Sequence, residues 1–181
     1  MRRDVEQVLV GAKQHMLTHG EHAPLVFVFT GSHHHHRLRV TDGWNDDSSS
    51  RAKALFLLGR AFAQEVHVPP GGISAVFLVQ EVWTVERGAD ELTLQSAVED
   101  QPDRKECLSV LALRRQGMQL RQTGYLAEIL RQGEVTDLGP TRTMQEVDST
   151  LLPSFFAGVG SAQWNDRQLL DLLNSQDFGG V

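Results

Sequence analysis

The chain has 181 residues, of which 40% are hydrophobic and 22% charged, and its formal net charge is −6. These values suit a globular domain with a buried core and exclude a chain too polar to fold. Because nucleic-acid backbones are bound by clustered Lys and Arg, the acidic balance argues against nucleic acid as the main partner. No apolar run approaches the roughly 20 residues that span a bilayer. We therefore expect a soluble, cytoplasmic protein that does not contact a membrane.

Two segments have the spacing of amphipathic helices. In the first, Val5, Val8, Ala12 and Met16 fall on one helical face, and Gly20 is a natural stop. The second is expected over residues 51–66, where apolar residues recur at helical spacing after a run of serines that offers an N-cap.

Other segments are rich in β-forming residues. The predicted strands are Leu25–Thr30, Arg37–Thr41, Ile73–Glu86, Glu106–Arg114, Met118–Arg131 and a weaker one near Glu134–Thr143. In the strand that begins at Ile73 both alternating sets are apolar, which is typical of a central strand covered on both faces. In the last strand, Gly139 and Pro140 favour a position at the sheet edge.

These elements predict an α+β fold with a mainly antiparallel, twisted sheet of five to six strands and two helices packed on one face. The other face would then be covered by the C-terminal tail or by the partner in a homodimer. We expect one α+β domain over residues 1–145, followed by a tail over residues 146–181 that holds a short helix at Asn165–Ser175.

A run of four histidines, His33–His36, stands between the first two strands. Alternate residues of a strand share a face, so His33 with His35, or His34 with His36, could hold one metal ion. A third ligand could come from Asp42, Asp46 or Asp47, and we single out the set His34, His36 and Asp46. The run matches no spaced metalloenzyme motif. It also suits a solvated hairpin tip that binds divalent metal adventitiously, or a purification-tag fragment. Beyond such a metal we expect no cofactor.

Glu81 interrupts the apolar strand that begins at Ile73. A buried carboxylate has a raised pKa and can act as an acid or a base. The competing interpretation, which we favour, is an ion pair with Arg37, Arg39 or an arginine of a later strand. Cys107, the one cysteine, is expected to be a small buried hydrophobe of its strand rather than a nucleophile.

The tryptophans receive different interpretations. Trp83 lies in an apolar strand and is expected in the core, whereas Trp44 lies among polar residues and suits a contact surface. Trp164 falls in the predicted tail.

The strand that holds Trp83, the acidic loop after it and the sequence PDRKE at 102–106 resemble a pattern in small uncharacterised bacterial and bacteriophage proteins. There a Trp-containing strand is followed by an Asp-Pro-Asp-Arg-(Arg/Lys)-Glu turn, and Gln101 stands here in place of the first Asp. The resemblance covers a minor part of the chain and implies no activity, so it identifies no catalytic residue. We interpret the turn as a device that sets strand register, with acidic residues on either side of Arg104.

No motif supplies a complete catalytic constellation, and the sequence leaves open whether the chain is an enzyme. The leading hypothesis is a non-enzymatic protein of a bacterium or phage that binds a protein partner. The alternative is a metal-dependent hydrolase in which His33–His36 act with Asp46, Asp47 or Glu81. Metal that stays bound through dialysis, and is lost when His34 and His36 become Ala, would favour the hydrolase.

Overall fold

The computed structural model describes residues 2–31, 34–41, 44, 47–68, 72–85, 102–116, 119–133, 135–145 and 149–163. Three helices and seven strands occur in this part of the chain. The helices are α1 (Arg2–His19), α2 (Ser48–Val66) and α3 (Leu151–Gly160). The strands are β1 (Leu25–Thr30), β2 (His34–Arg39), β3 (Ile73–Thr84), β4 (Lys105–Gln116), β5 (Gln119–Gln132), β6 (Val135–Leu138) and β7 (Arg142–Gln145).

The two predicted helices form where their apolar spacing placed them. In α1, Val5, Val8 and Met16 are buried on the predicted face, and the chain leaves the helix through Gly20 with a positive φ of 73°. Helix α2 is capped by Asp47, whose carboxylate accepts the backbone N–H groups of residues 49 and 50. The serines expected to cap α2 lie instead in its first turn. None of the described helices combines the length and apolarity needed to cross a membrane.

All strand pairs of the sheet are antiparallel, which confirms the α+β class. The strand order is β2-β1-β3-β4-β5-β6, and β7 also pairs with β5. The central strand β3 is buried on both faces, as its sequence predicts, with Val76, Phe77, Leu78 and Val79 each at 0% exposure.

The predicted placement of both helices on one face is wrong. Apolar residues of α1 pack with Phe77 and Val79 of β3, whereas α2 packs with Val76 and Leu78, which point the opposite way. Each set of β3 side chains leaves water only when its own face is covered, so one helix lies on each side. Helix α3, from the predicted tail, shares the α2 side. The apolar face that suggested a second copy is therefore covered by α1.

The strand count exceeds the prediction because the last expected strand is divided. Gly139, Pro140 and Thr141 separate β6 from β7, and both short strands pair with the outer edge of β5. Proline cannot donate to a ladder, which limits continuous pairing at this edge. The backbone N–H of Gly139 still donates to the carbonyl of Glu128 at 2.8 Å, so the divided segment stays attached.

Helices α2 and α3 touch backbone to backbone at two glycines. A Cβ at Gly59 would overlap the carbonyl oxygen of Phe155, and a Cβ at Gly158 would overlap that of Phe56. The Arg60 guanidinium adds a hydrogen bond to the carbonyl of Ser161 just after α3. The sequence gives no clear period for α3, because nearly all of its residues are apolar. The helix expected at Asn165–Ser175 lies outside the described residues.

We predict that Gly59→Ala lowers the free energy of unfolding by roughly 1–3 kcal/mol or more, because the new methyl group overlaps backbone and forces α3 away from α2. Gly11→Ala is the matched control, since nothing lies within 4 Å of a Cβ there. That change should raise the free energy of unfolding by about 0.5–1 kcal/mol, because alanine favours helix interiors over glycine. Urea denaturation measures both. Equal effects of the two substitutions would contradict the close contact.

Candidate functional site

Strand β2 lies at one edge of the sheet, and within the described part of the chain no strand pairs with its outer side. Its inner side pairs with β1 in a regular register from Leu25 opposite Arg39 to Thr30 opposite His34. His35, Arg37 and Arg39 are exposed and alternate along the strand, so they share one face. An open edge exposes backbone donors and acceptors that another extended chain can pair with.

The part of the histidine run that the structure describes, residues 34–36, lies in β2. His34 begins β2, and the ring of His35 stacks on Phe29 at a centroid distance of 5.5 Å. The ring of His36 points to the opposite face and meets Phe62 of α2 edge-on at 5.2 Å. Each of these two rings therefore packs on an aromatic neighbour.

The predicted ligands His34, His36 and Asp46 are not all within the described residues. The side chain of His34 and all of Asp46 lie outside them, as does Asp42. Among the residues that the structure does describe, no three His, Cys, Asp or Glu side chains form a group suited to a metal ion. The metal site at the histidine run stays a prediction.

Two carboxylates offered as partners for the histidines have other roles. Asp47 caps α2, and its Oδ1 accepts from the backbone N–H groups of Ser49 at 2.8 Å and Ser50 at 3.0 Å. Glu81 lies in β3 on the α1 face, whereas the ring of His36 lies on the α2 face. The structure therefore does not bring Glu81 together with His36.

Glu81 belongs instead to an ionic cluster that joins three strands. Arg131 of β5 donates to both oxygens of Glu106 in β4, from Nε at 2.7 Å and from Nη2 at 2.8 Å. The same Nη2 lies 3.5 Å from Oε2 of Glu81. Arg131 Nη1 also donates to the carbonyl of Gly20 at 2.6 Å. The expected ion pair with an arginine of a later strand is confirmed, and Arg131 attaches the end of α1 to the sheet.

The pKa values of the two carboxyl groups of this cluster are shifted in opposite directions. Burial raises the pKa of Glu81 above its ordinary value of 4.5, and the neighbouring Glu106 raises it further, although the backbone N–H of His22 hydrogen-bonds to the Glu81 carboxylate and opposes the rise. The bidentate bond from Arg131 lowers the pKa of Glu106 below the same ordinary value. Glu81 is therefore the member of the pair that takes up a proton more readily.

A group of imidazoles lies beside the ionic cluster. The ring of His15 lies 4.4 Å from that of His19 and 4.9 Å from that of His22, measured between centroids. Burial lowers the pKa of His22, and burial together with the charges of His19 and Arg37 lowers the pKa of His15. The i, i+4 spacing of His15 and His19 on a helix is the signal in the sequence that could have identified this group.

The tryptophans exchange their predicted roles. Trp44 is 8% exposed and belongs to the core on the α2 face, whereas Trp83 is 45% exposed. In the PDRKE turn, Arg104 lies 4.6 Å from the centroid of the Trp83 ring, so it contacts an aromatic face. Glu106, the last residue of the same turn, pairs with Arg131. Cys107 is buried, as expected. Trp164 lies outside the described residues.

Helices on both faces of an antiparallel sheet define an α+β protein, and the described residues add an open basic edge and an ionic cluster. The family model for "Bacteriophage lambda protein ea47" matches residues 1–166. The chain therefore belongs to that family. This confirms the phage part of the resemblance, while the match does not test the Trp-strand and PDRKE motif. No curated protein and no solved structure matches the chain.

The contrast between Glu81 and Glu106 predicts opposite effects for two isosteric substitutions. Glu81→Gln should raise the free energy of unfolding at pH 7, because it removes a carboxylate whose ionisation the fold disfavours. In the wild-type protein, protonated Glu81 contributes stability that is lost as pH rises above 4.5 through its raised pKa. The stability gained by Glu81→Gln should therefore shrink on acidification toward 4.5.

Glu106→Gln should instead lower the free energy of unfolding by about 1–2 kcal/mol at pH 7. The loss is kept small by solvent screening, because Arg131 is 39% exposed. The Glu106 contribution is lost as pH falls below 4.5 through its lowered pKa, so the cost should fade there. Urea titrations between pH 3 and pH 8 test both variants, with the exposed Glu65→Gln as control. Parallel pH curves for the two variants would contradict this assignment.

Proposed function

We propose that this protein of the phage ea47 family binds a protein partner, without catalysing a reaction, by accepting an acidic extended segment along the outer edge of β2. The observation that supports the proposal is that, among the residues the structure describes, no strand pairs with the outer side of β2, a six-residue strand without a gap in its pairing to β1. Main-chain hydrogen bonds to such an edge supply affinity, and side chains on alternate positions supply specificity.

The charge of the edge selects the partner. His35, Arg37 and Arg39 project from one face of β2 and are exposed. Carboxylates on alternate positions of an added strand would lie opposite this row and pair with it. A second copy of β2 would bring the arginines of the two copies close to each other, and like charges facing across strands destabilise a sheet. An acidic segment of another protein therefore fits the edge better than a second copy does.

The histidine run contributes to the same edge in this proposal. The rings of His35 and His36 pack on opposite faces, against Phe29 and Phe62. Both contacts stiffen the edge before a partner arrives, which lowers the ordering cost of binding. A divalent metal at His34, His36 and Asp46, and with it a hydrolase, stays a prediction that no contact of the described residues favours.

The test uses three synthetic ten-residue peptides. One alternates Glu with Val, the second alternates Lys with Val, and the third is the acidic peptide with a central proline that interrupts pairing. Calorimetry should detect saturable binding of the acidic peptide, and neither of the other two should bind comparably. The double variant Arg37→Glu, Arg39→Glu should weaken binding by roughly tenfold or more.

Arg121→Glu is the matched control, because it makes the same charge change at an exposed position of β5 away from β2. It should leave peptide affinity unchanged. Equal binding of the acidic and basic peptides would overturn the proposal. So would a concentration-dependent dimer, measured by light scattering, that the double variant at β2 changes, because the edge would then pair with a second copy.

A further inference from the structure

Three histidines lie together where α1 ends beside the sheet. His15 is half-buried, His19 is exposed, and His22, between α1 and β1, is buried. The ring of His15 lies between the other two, with centroid distances of 4.4 Å to His19 and 4.9 Å to His22. His22 is held in place, because its Nδ1 lies 2.9 Å from the carbonyl oxygen of Ala23 and its backbone N–H donates to Glu81. Protons from solvent therefore reach the pair His15 and His19 more easily than the buried ring.

The row of exposed basic residues on β2 lies on the same face of the sheet as these imidazoles. Arg37 pairs with Phe27 of β1, and Phe27 packs against the core under α1. Paired residues of antiparallel strands point to the same face, so the Arg37 side chain is on the α1 side. Burial lowers the pKa of both His15 and His22, and the charge of Arg37 lowers both further. The basic row and the imidazoles therefore share one electrostatic field.

Positive charge dominates around His15. Its pKa is lowered first by burial and then by the charges of His19 and Arg37, whereas Glu21 raises it. Arg37 is exposed, so a carboxylate of a bound partner can reach it. Such a carboxylate would cancel part of the repulsion that opposes protonation of His15.

The other carboxylates near the imidazoles are already engaged. Glu81 of β3 accepts from the backbone N–H of His22 and lies 3.5 Å from Arg131 of β5. Glu106 of β4 binds Arg131 through both of its oxygens. Arg131 also donates to the carbonyl of Gly20 after α1. This cluster holds the end of α1 on the sheet and leaves the charge of Arg37 to a partner.

We propose that protonation of the pair His15 and His19 strengthens the binding of an acidic segment at the edge of β2. The inference rests on the function proposed above and names how that binding is regulated. Carboxylates of the segment that pair with Arg37 favour a proton on His15, so the bound state takes up protons there. Because linkage is reciprocal, the segment binds more tightly as pH falls through about 6.5, the ordinary pKa of histidine. The gain ends near about pH 4.3, where glutamates of the segment themselves take up protons.

Calorimetry with the alternating Glu and Val peptide at pH 7.5 and pH 5.5 tests the coupling. Affinity should be roughly threefold to tenfold higher at pH 5.5. Titrations at pH 6.5 in two buffers of different ionisation enthalpy should show net uptake of protons on binding.

The double variant His15→Gln, His19→Gln should bring the ratio of the two affinities toward one, with any remaining dependence due to His35 in the row itself. Glutamine suits a helix, and neither position is fully buried, so the variant should fold. His67→Asn, an exposed histidine after α2, is the matched control and should leave the ratio unchanged.

A measurement without peptide tests the charge contact by itself. Arg37→Gln should raise the pKa of His15, followed by proton NMR, because it removes a neighbouring positive charge. Arg121→Gln makes the same change on β5, away from β2, and should leave that pKa unchanged.

The outcomes separate the coupling from the peptide site. Equal affinity at both pH values, or a ratio that the double variant retains, would overturn the coupling and leave the peptide site standing. An unchanged pKa of His15 in Arg37→Gln would overturn the coupling whatever the peptide does. Failure of the acidic peptide to bind at either pH would overturn the proposed function, and the coupling with it.

Discussion

Burial of strand β3 on both faces is the constraint on which the rest of the structure depends. Val76 and Leu78 point to one side, Phe77 and Val79 point to the other, and all are without solvent exposure. A single-sided layer of helices would leave one of these sets in water, at roughly 1.5–3 kcal/mol for each large side chain. Helix α1 therefore covers one face, and α2 with α3 covers the other.

Once both faces are covered, the edges of the sheet become the places where a further strand can add, and the two edges differ. Beside β5, the outer segment is divided at Gly139 and Pro140 into two short strands, which is unsuited to continuous pairing. Beside β1, β2 is uninterrupted over six residues and basic on one face. This difference is why we assign partner binding to β2.

The ionic cluster stabilises the end of the sheet without occupying either edge. Arg131 joins Glu106 and Glu81 and also holds the carbonyl of Gly20 after α1. Because the pKa of Glu81 is raised and that of Glu106 is lowered, acidification neutralises Glu81 first and leaves Glu106 paired with Arg131 in the cluster. Its geometry favours attachment of the helix end over chemistry.

Much of the fold could be predicted from sequence, because α1, α2 and the strands each carry a clear period. Helix α3 could not, since Leu151–Gly160 is apolar on nearly every side and matches no single period. The face of the sheet on which a helix packs depends on tertiary packing rather than on the apolar spacing within the helix. The pairing of Glu81 with Arg131 could not be predicted, because it depends on strand register. Trp44 and Trp83 show that the polarity of the neighbours in sequence does not determine whether a residue is buried.

The central claim is that the outer edge of β2 is open in the free protein while β3 is protected on every side. Amide hydrogen exchange followed by NMR tests it residue by residue. We expect alternation along β2, with slow exchange where the N–H faces β1 and fast exchange where it faces outward, and uniformly slow exchange within the paired part of β3. Uniform protection along β2 without any added partner would contradict the account, because the edge would already be paired.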